Sequence, residues 1–186
     1  LKVEPEIYHM NEGHGLALLF HLYSKFRDVN EVKKRVVFTT HTPEKAGNDE
    51  INLKLLEEME FFSGVPLDEI KRIAHIDGDT LDFTLTALRL SKIANGVSKI
   101  HGIVANAMWG GNEGVCKIIS ITNAQNRKFW MDDKLKTSLE TEDNAAILKR
   151  KRELKREMLE LVADQTGKLF DENILTIVSV SYTHLR

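Results

Sequence analysis

Two spacings of apolar residues alternate along this chain. The run Val36-Val37-Phe38-Thr39-Thr40 is β-branched and aromatic, and it stops at His41-Thr42-Pro43, where the proline forbids a continuing strand. Tyr8-His9-Met10 reads as an extended entry, with Asn11 capping a helix to about residue 26 through Leu16, Leu19 and Phe20. Ile51, Leu55, Met59 and Phe62 recur at helical spacing and predict a helix over about 49–62. Gly64-Val65-Pro66 breaks it, and Pro66 opens another helix through Ile70 and Ile73. A helix over 81–93 carries Leu85, Leu88 and Ile93 and ends at Asn95-Gly96 in a left-handed cap. A short strand over 97–100, a helix over 101–109 and the loop Gly110-Gly111-Asn112-Glu113-Gly114 follow. The strand over 117–122 ends in Asn123; a charged helix over about 143–164 and a last strand over 174–178 complete the pattern. Repeated strand, loop and helix units predict an α/β fold, a mostly parallel Rossmann-like sheet with helices on both faces.

Composition narrows the function classes. A formal net charge of -2 over 186 residues gives no general pull toward nucleic acid or an acidic membrane. No apolar run approaches the ~20 residues that span a bilayer. The single cysteine, Cys116, excludes an internal disulfide, fits a reducing cytoplasm, and beside Ile118-Ile119 reads as an inert core thiol. The chain opens on Leu1-Lys2-Val3 without an initiator methionine or a leader pattern, and is expected to be a fragment.

The candidate chemistry lies where strands end, since ligands of open α/β sheets sit at the carboxyl edge. His41 follows a strand; alone, it is more often a residue capping its own loop. Asn11-Glu12-Gly13-His14 is a polar loop-to-helix junction in which Glu12 is either a ligand contact or an acid complementing the helix dipole. His9 and His14 are five residues apart, about 140° around a helix, so they are not a zinc pair, and no metal is expected. Asp77-Gly78-Asp79 resembles a divalent-ion motif but reads better as a tight turn. The basic run Arg150-Lys151-Arg152 with Lys155-Arg156 is interleaved with Glu153, Glu157 and Glu160 and reads as a solvated helix face, with Lys149–Glu153 and Arg156–Glu160 as pairs. Asn123 can donate to and accept from a sugar hydroxyl, and Trp130 offers a flat apolar face, although singly these are turn and core residues.

Taken together, several segments resemble the α-glucan phosphorylases of bacteria and archaea. They are Tyr8-His9-Met10-Asn11-Glu12-Gly13-His14, Phe38-Thr39-Thr40-His41-Thr42-Pro43, Ala46-Gly47-Asn48-Asp49, the stretch from Leu88 through Asn95-Gly96-Val97-Ser98-Lys99-Ile100-His101-Gly102 to Met108-Trp109, and Ile121-Thr122-Asn123 with Trp130. The resemblance implies a GT-B architecture of two Rossmann-like domains, with residues 1–168 the later part of the first domain and 169–178 the first strand of the second. It implies phosphorolysis of an α-1,4-glucan (glycogen, starch or maltodextrin) by inorganic phosphate to glucose 1-phosphate with retention, in a cytoplasmic, homo-oligomeric protein. The cofactor it implies is pyridoxal phosphate, whose attachment lysine is not in this chain. By the same resemblance His41 bonds the sugar 6-hydroxyl and turns its carbonyl to the anomeric centre, Asn123, Glu12 and His14 line the sugar pocket, and Trp130 packs near the cofactor. Ala124-Gln125-Asn126 and Asn48 depart from the family pattern, and 179–186 reads as a non-family tail from a truncated reading frame. The fragment alone is expected to be inactive. Two alternatives stand beside this reading: a glucan synthase using a nucleotide sugar, and a non-catalytic glucan-binding protein.

Overall fold

A computed structural model describes residues 4–177 and divides the chain into two compact units, Leu1–Asn123 and Ala124–Arg186. In chain order the first contains β1 (Tyr8–Asn11), α1 (Ala17–Phe26), α2 (Val29–Arg35), β2 (Val36–Thr40), β3 (Glu50–Asn52), α3 (Leu53–Glu58), α4 (Leu67–Ala74), β4 (Thr80–Asp82), α5 (Phe83–Leu90), β5 (Ile93–Gly96), α6 (Lys99–Trp109) and β6 (Lys117–Ser120). Four strands form one parallel sheet in the order β1-β2-β5-β6, so all four carboxyl ends lie along one edge. This is the α/β class that the alternating pattern predicts, a parallel sheet flanked by helices.

Burial explains the sheet's two faces. Met10, Val36, Phe38, Ala94 and Ile118 alternate inward and pack on the same core as Leu16, Leu19, Phe20, Leu81, Ala87 and Leu88. Phe20, Phe61, Phe62 and Phe83 meet there in tilted, edge-on and stacked pairs. The other face is polar toward its carboxyl end. The Thr39 hydroxyl donates to Asn95 Oδ1 (2.8 Å), leaving only its lone pairs for His9 Nε2 at 2.7 Å, so His9 must donate. One threonine thus ties β1, β2 and β5 by their side chains.

Several expected boundaries move, each because a tertiary partner outweighs local propensity. Glu50–Asn52, at the start of the expected helix over 49–62, pairs antiparallel with Thr80–Asp82, and the helix begins only after Asn52, whose side chain accepts the Lys54 N–H. Asn95-Gly96 is not a left-handed helix cap. It is the end of β5, paired with Thr39 and Thr40, and the strand lies four residues before the expected 97–100. Gly96 is required there by close approach: a Cβ would sit 3.0 Å from Gly102 N and 3.0 Å from His101 Cδ2. Asn11 belongs to β1 rather than to a cap, and a three-residue 3-10 turn (Gly13–Gly15) stands between it and α1. Asp28 caps α2, an element the apolar pattern does not announce.

The second unit contains α7 (Arg127–Trp130), α8 (Asp133–Glu140) and α9 (Asn144–Thr166). Asp143 caps α9 through the Ala146 N–H, and Gly167 ends it in the left-handed region, close to the expected span. Arg150 binds Asp132, Glu153 and Glu157, and Arg156 binds Glu172, so these two arginines of the basic run pair with partners other than those expected from spacing. Residues 174–177 form no strand, with Ile174, Leu175 and Ile177 exposed; Val178 and the tail over 179–186 lie outside the described residues.

Candidate functional site

The carboxyl edge presents Glu12 after β1, His41 after β2, Val97 and Ser98 after β5, and Ile121 to Asn123 after β6. Two backbone bonds carry β6 past its last paired residue: Ile121 N–H donates to Gly96 O (2.9 Å) and Asn123 N–H to Val97 O (3.0 Å). Neighbouring strands lie ~4.8 Å apart, so Asn123 stands roughly 10 Å along the edge from His41. Its side chain is exposed.

Glu12 and His41 are brought into direct contact. Glu12 N–H donates to Thr39 O at 2.9 Å, the last regular rung between β1 and β2. The backbone of Glu12 then takes φ 61° and ψ 179°, a region that glycine populates and that costs any residue with a Cβ about 1–3 kcal/mol. From there the carboxylate turns back across the edge. Its Oε1 accepts the His41 N–H in a short hydrogen bond and the Thr42 hydroxyl at 3.3 Å. One oxygen of Glu12 is therefore engaged with the loop after β2. The 3-10 turn that follows packs tightly, since a Cβ on Gly13 would lie 2.9 Å from Phe83 Cβ. His14, in that turn, is exposed.

His101 joins this group without having been singled out by its sequence context. It lies in the first turn of α6, where Ser98 accepts the His101 backbone N–H (3.1 Å), and its ring rests over Gly96, the partner of Thr40. Val97 N–H donates to Nδ1 at 3.3 Å, which fixes the proton of the neutral ring on Nε2. Nε2 is buried with no hydrogen-bond partner among the described residues, in a residue only 6 % exposed. Burial lowers the His101 pKa, the Glu12 charge opposes that shift and His41 adds to it, so its imidazole stands within the electrostatic reach of both. The sequence signal that could have found it is a histidine three residues after a capping serine, just beyond a strand end.

The remaining candidates have their own surroundings. Trp130 belongs to the second unit, where it is 74 % exposed and meets Phe129 edge-on; it is not a core aromatic. Asp77-Gly78-Asp79 forms the bend before β4; Lys71 binds Asp79 at 2.9 Å and holds its carboxyl below the usual range by that hydrogen bond. Among the described residues no three His, Cys, Asp or Glu side chains gather as metal ligands, and no helix is long and apolar enough to cross a membrane. The Cys116 thiol is half-buried and pushed up to about 11 by desolvation, which suits packing rather than nucleophilic attack.

No protein-family model matches the chain. An uncharacterized protein of Methanocaldococcus jannaschii is 39 % identical over 173 residues, covering 93 % of this chain and 33 % of that protein. The maltodextrin phosphorylase of Thermococcus litoralis is 30 % identical over 151 residues, covering 73 % of this chain and 18 % of the enzyme. The glycogen phosphorylase of Mycobacterium tuberculosis is 32 % identical over 152 residues, covering 68 % and 18 %. The chain thus spans a third or less of the length of the curated relatives it matches, and over that part it is similar to glycogen and maltodextrin phosphorylases.

Proposed function

We propose that this chain is part of a retaining α-1,4-glucan phosphorylase of GT-B architecture, and that the carboxyl edge of its parallel sheet forms one wall of the glucosyl site. The observation that carries the reading is the similarity to maltodextrin and glycogen phosphorylases over about 70 % of the chain. The geometry supports it by placing an acid, an imidazole residue and an exposed amide (Glu12, His41 and Asn123) along one edge where α/β sheets receive ligands.

In this reading the bond from the anomeric carbon to the glycosidic oxygen breaks, a bond from that carbon to a phosphate oxygen forms, and the phosphate proton passes to the departing oxygen. His41 binds the 6-hydroxyl and lends its carbonyl dipole to the positive charge that develops at the anomeric carbon. His14 and Asn123 add sugar contacts, and Glu12 holds the loop that carries His41. Trp130, whose flat ring is exposed, would pack near the cofactor. Bound pyridoxal phosphate would supply a second phosphate for proton exchange with inorganic phosphate.

The test is product formation by the full-length protein. Incubation with glycogen or maltoheptaose and inorganic phosphate should yield glucose 1-phosphate, and His14→Ala and His41→Ala should each lower kcat/KM by about a hundredfold or more. Comparing the two variants ranks the histidines. Glucan extension from a nucleotide sugar, without phosphorolysis, would assign the chain to a synthase instead. Glucan binding without turnover would leave a binding protein.

A further inference from the structure

Glu12 stands where a regular parallel ladder would continue. Given the rung from Glu12 N–H to Thr39 O, the next rung would run from His41 N–H to the Glu12 backbone carbonyl. The positive φ swings that carbonyl out of the ladder, and the Glu12 carboxylate takes the His41 N–H in its place, adding the Thr42 hydroxyl. A glycine would adopt this backbone without strain but would leave His41 N–H without that acceptor. The strained residue is therefore the one whose side chain repairs the rung its own backbone abandons.

We propose that Glu12 is a positioning residue: its carboxylate is a substitute rung that fixes the peptide between Thr40 and His41, and with it the direction of the His41 carbonyl and ring. The held amide is the first one after β2, so it governs how the chain leaves the strand. Two neighbours reinforce the arrangement. Thr40, fully buried and paired with Gly96, anchors the residue before the held amide, and the His101 ring lies over Gly96 on the next strand. The consequence for catalysis rests on the glucan phosphorylase reading; the positional claim concerns this chain alone.

Amide hydrogen exchange separates the two claims, measured on the chain itself beside kinetics of the full-length protein. In Glu12→Gly the His41 amide should exchange at least about tenfold faster, while the melting temperature stays level or rises as backbone strain is relieved. Glu12→Gln keeps a carbonyl acceptor, so its His41 amide should exchange within about threefold of the wild-type rate. In the full-length enzyme Glu12→Gly should lose about a hundredfold in kcat with little change in KM, and Glu12→Gln should recover most of it. Unchanged His41 exchange in Glu12→Gly overturns the proposal. So does a Glu12→Gln enzyme as inactive as Glu12→Gly with its His41 amide still protected, which would put the carboxylate on the substrate. Should the wild-type protein prove unable to phosphorolyse glucan, the functional reading fails, and the exchange rates still decide the positional claim.

Discussion

His101 shows how one buried side chain couples the edge to solution conditions. Its Nδ1 accepts from Val97, its Nε2–H has no partner among the described residues, and burial lowers its pKa below the ordinary histidine value. The unfolded chain therefore binds a proton on this residue at a pH where the folded chain does not. Stability contributed by the neutral ring is present above about pH 6.5 and is lost as pH falls from there toward the lower folded pKa. The Glu12 carboxylate moderates the shift and the neighbouring His41 enhances it. Urea unfolding at pH 7.5 and 5.5 should show a lower midpoint in acid, and His101→Gln should remove a measurable part of that fall. Identical pH dependence in the two proteins would mean that His101 does not titrate across unfolding.

At the level of elements, β5 and α6 depend on a single close crossing. The strand ends at Gly96, the helix is capped by Ser98, and the space where a Gly96 side chain would go is filled by Gly102 N and the His101 ring. Gly96→Ala must push the helix start outward or twist the strand end, so it should destabilise the first unit by about 1–3 kcal/mol in denaturant titration. Since Gly96 does not have a positive φ, the cost is one of space rather than backbone conformation. A variant as stable as the wild type would show that the α6 start can yield. The same crossing explains why the strand over 93–96 hides in the sequence. Lys92-Ile93-Ala94-Asn95-Gly96 has one β-branched residue, and it extends because Val37 to Thr40 pair with it on one side and Lys117 to Ser120 on the other.

The whole molecule divides at Asn123. Every member of the main apolar cluster, from Met10 to Ile118, belongs to the first unit, which also contains the six strands found among the described residues. A polypeptide of residues 1–123 should accordingly unfold in a single cooperative transition with retained α/β circular dichroism. A non-cooperative transition would show that its core needs residues beyond Asn123. Trp130 lies in the second unit, where its ring is exposed rather than part of a core.

Hydrophobic spacing alone was enough for the α/β class, the strand at 36–40 and the long charged α9, because each is a local periodicity strong enough to dominate its window. Motif residues likewise drew attention to Glu12, His41 and Asn123. Folding in three dimensions was needed to set the β5 register, to pair 50–52 with 80–82, to bring His101 over Gly96 and to put the Glu12 carboxylate on the His41 amide. Apart from His101 over Gly96, which are five positions apart, those features arise between residues roughly 30 to 60 positions apart, where pairing and burial override what each short stretch prefers by itself.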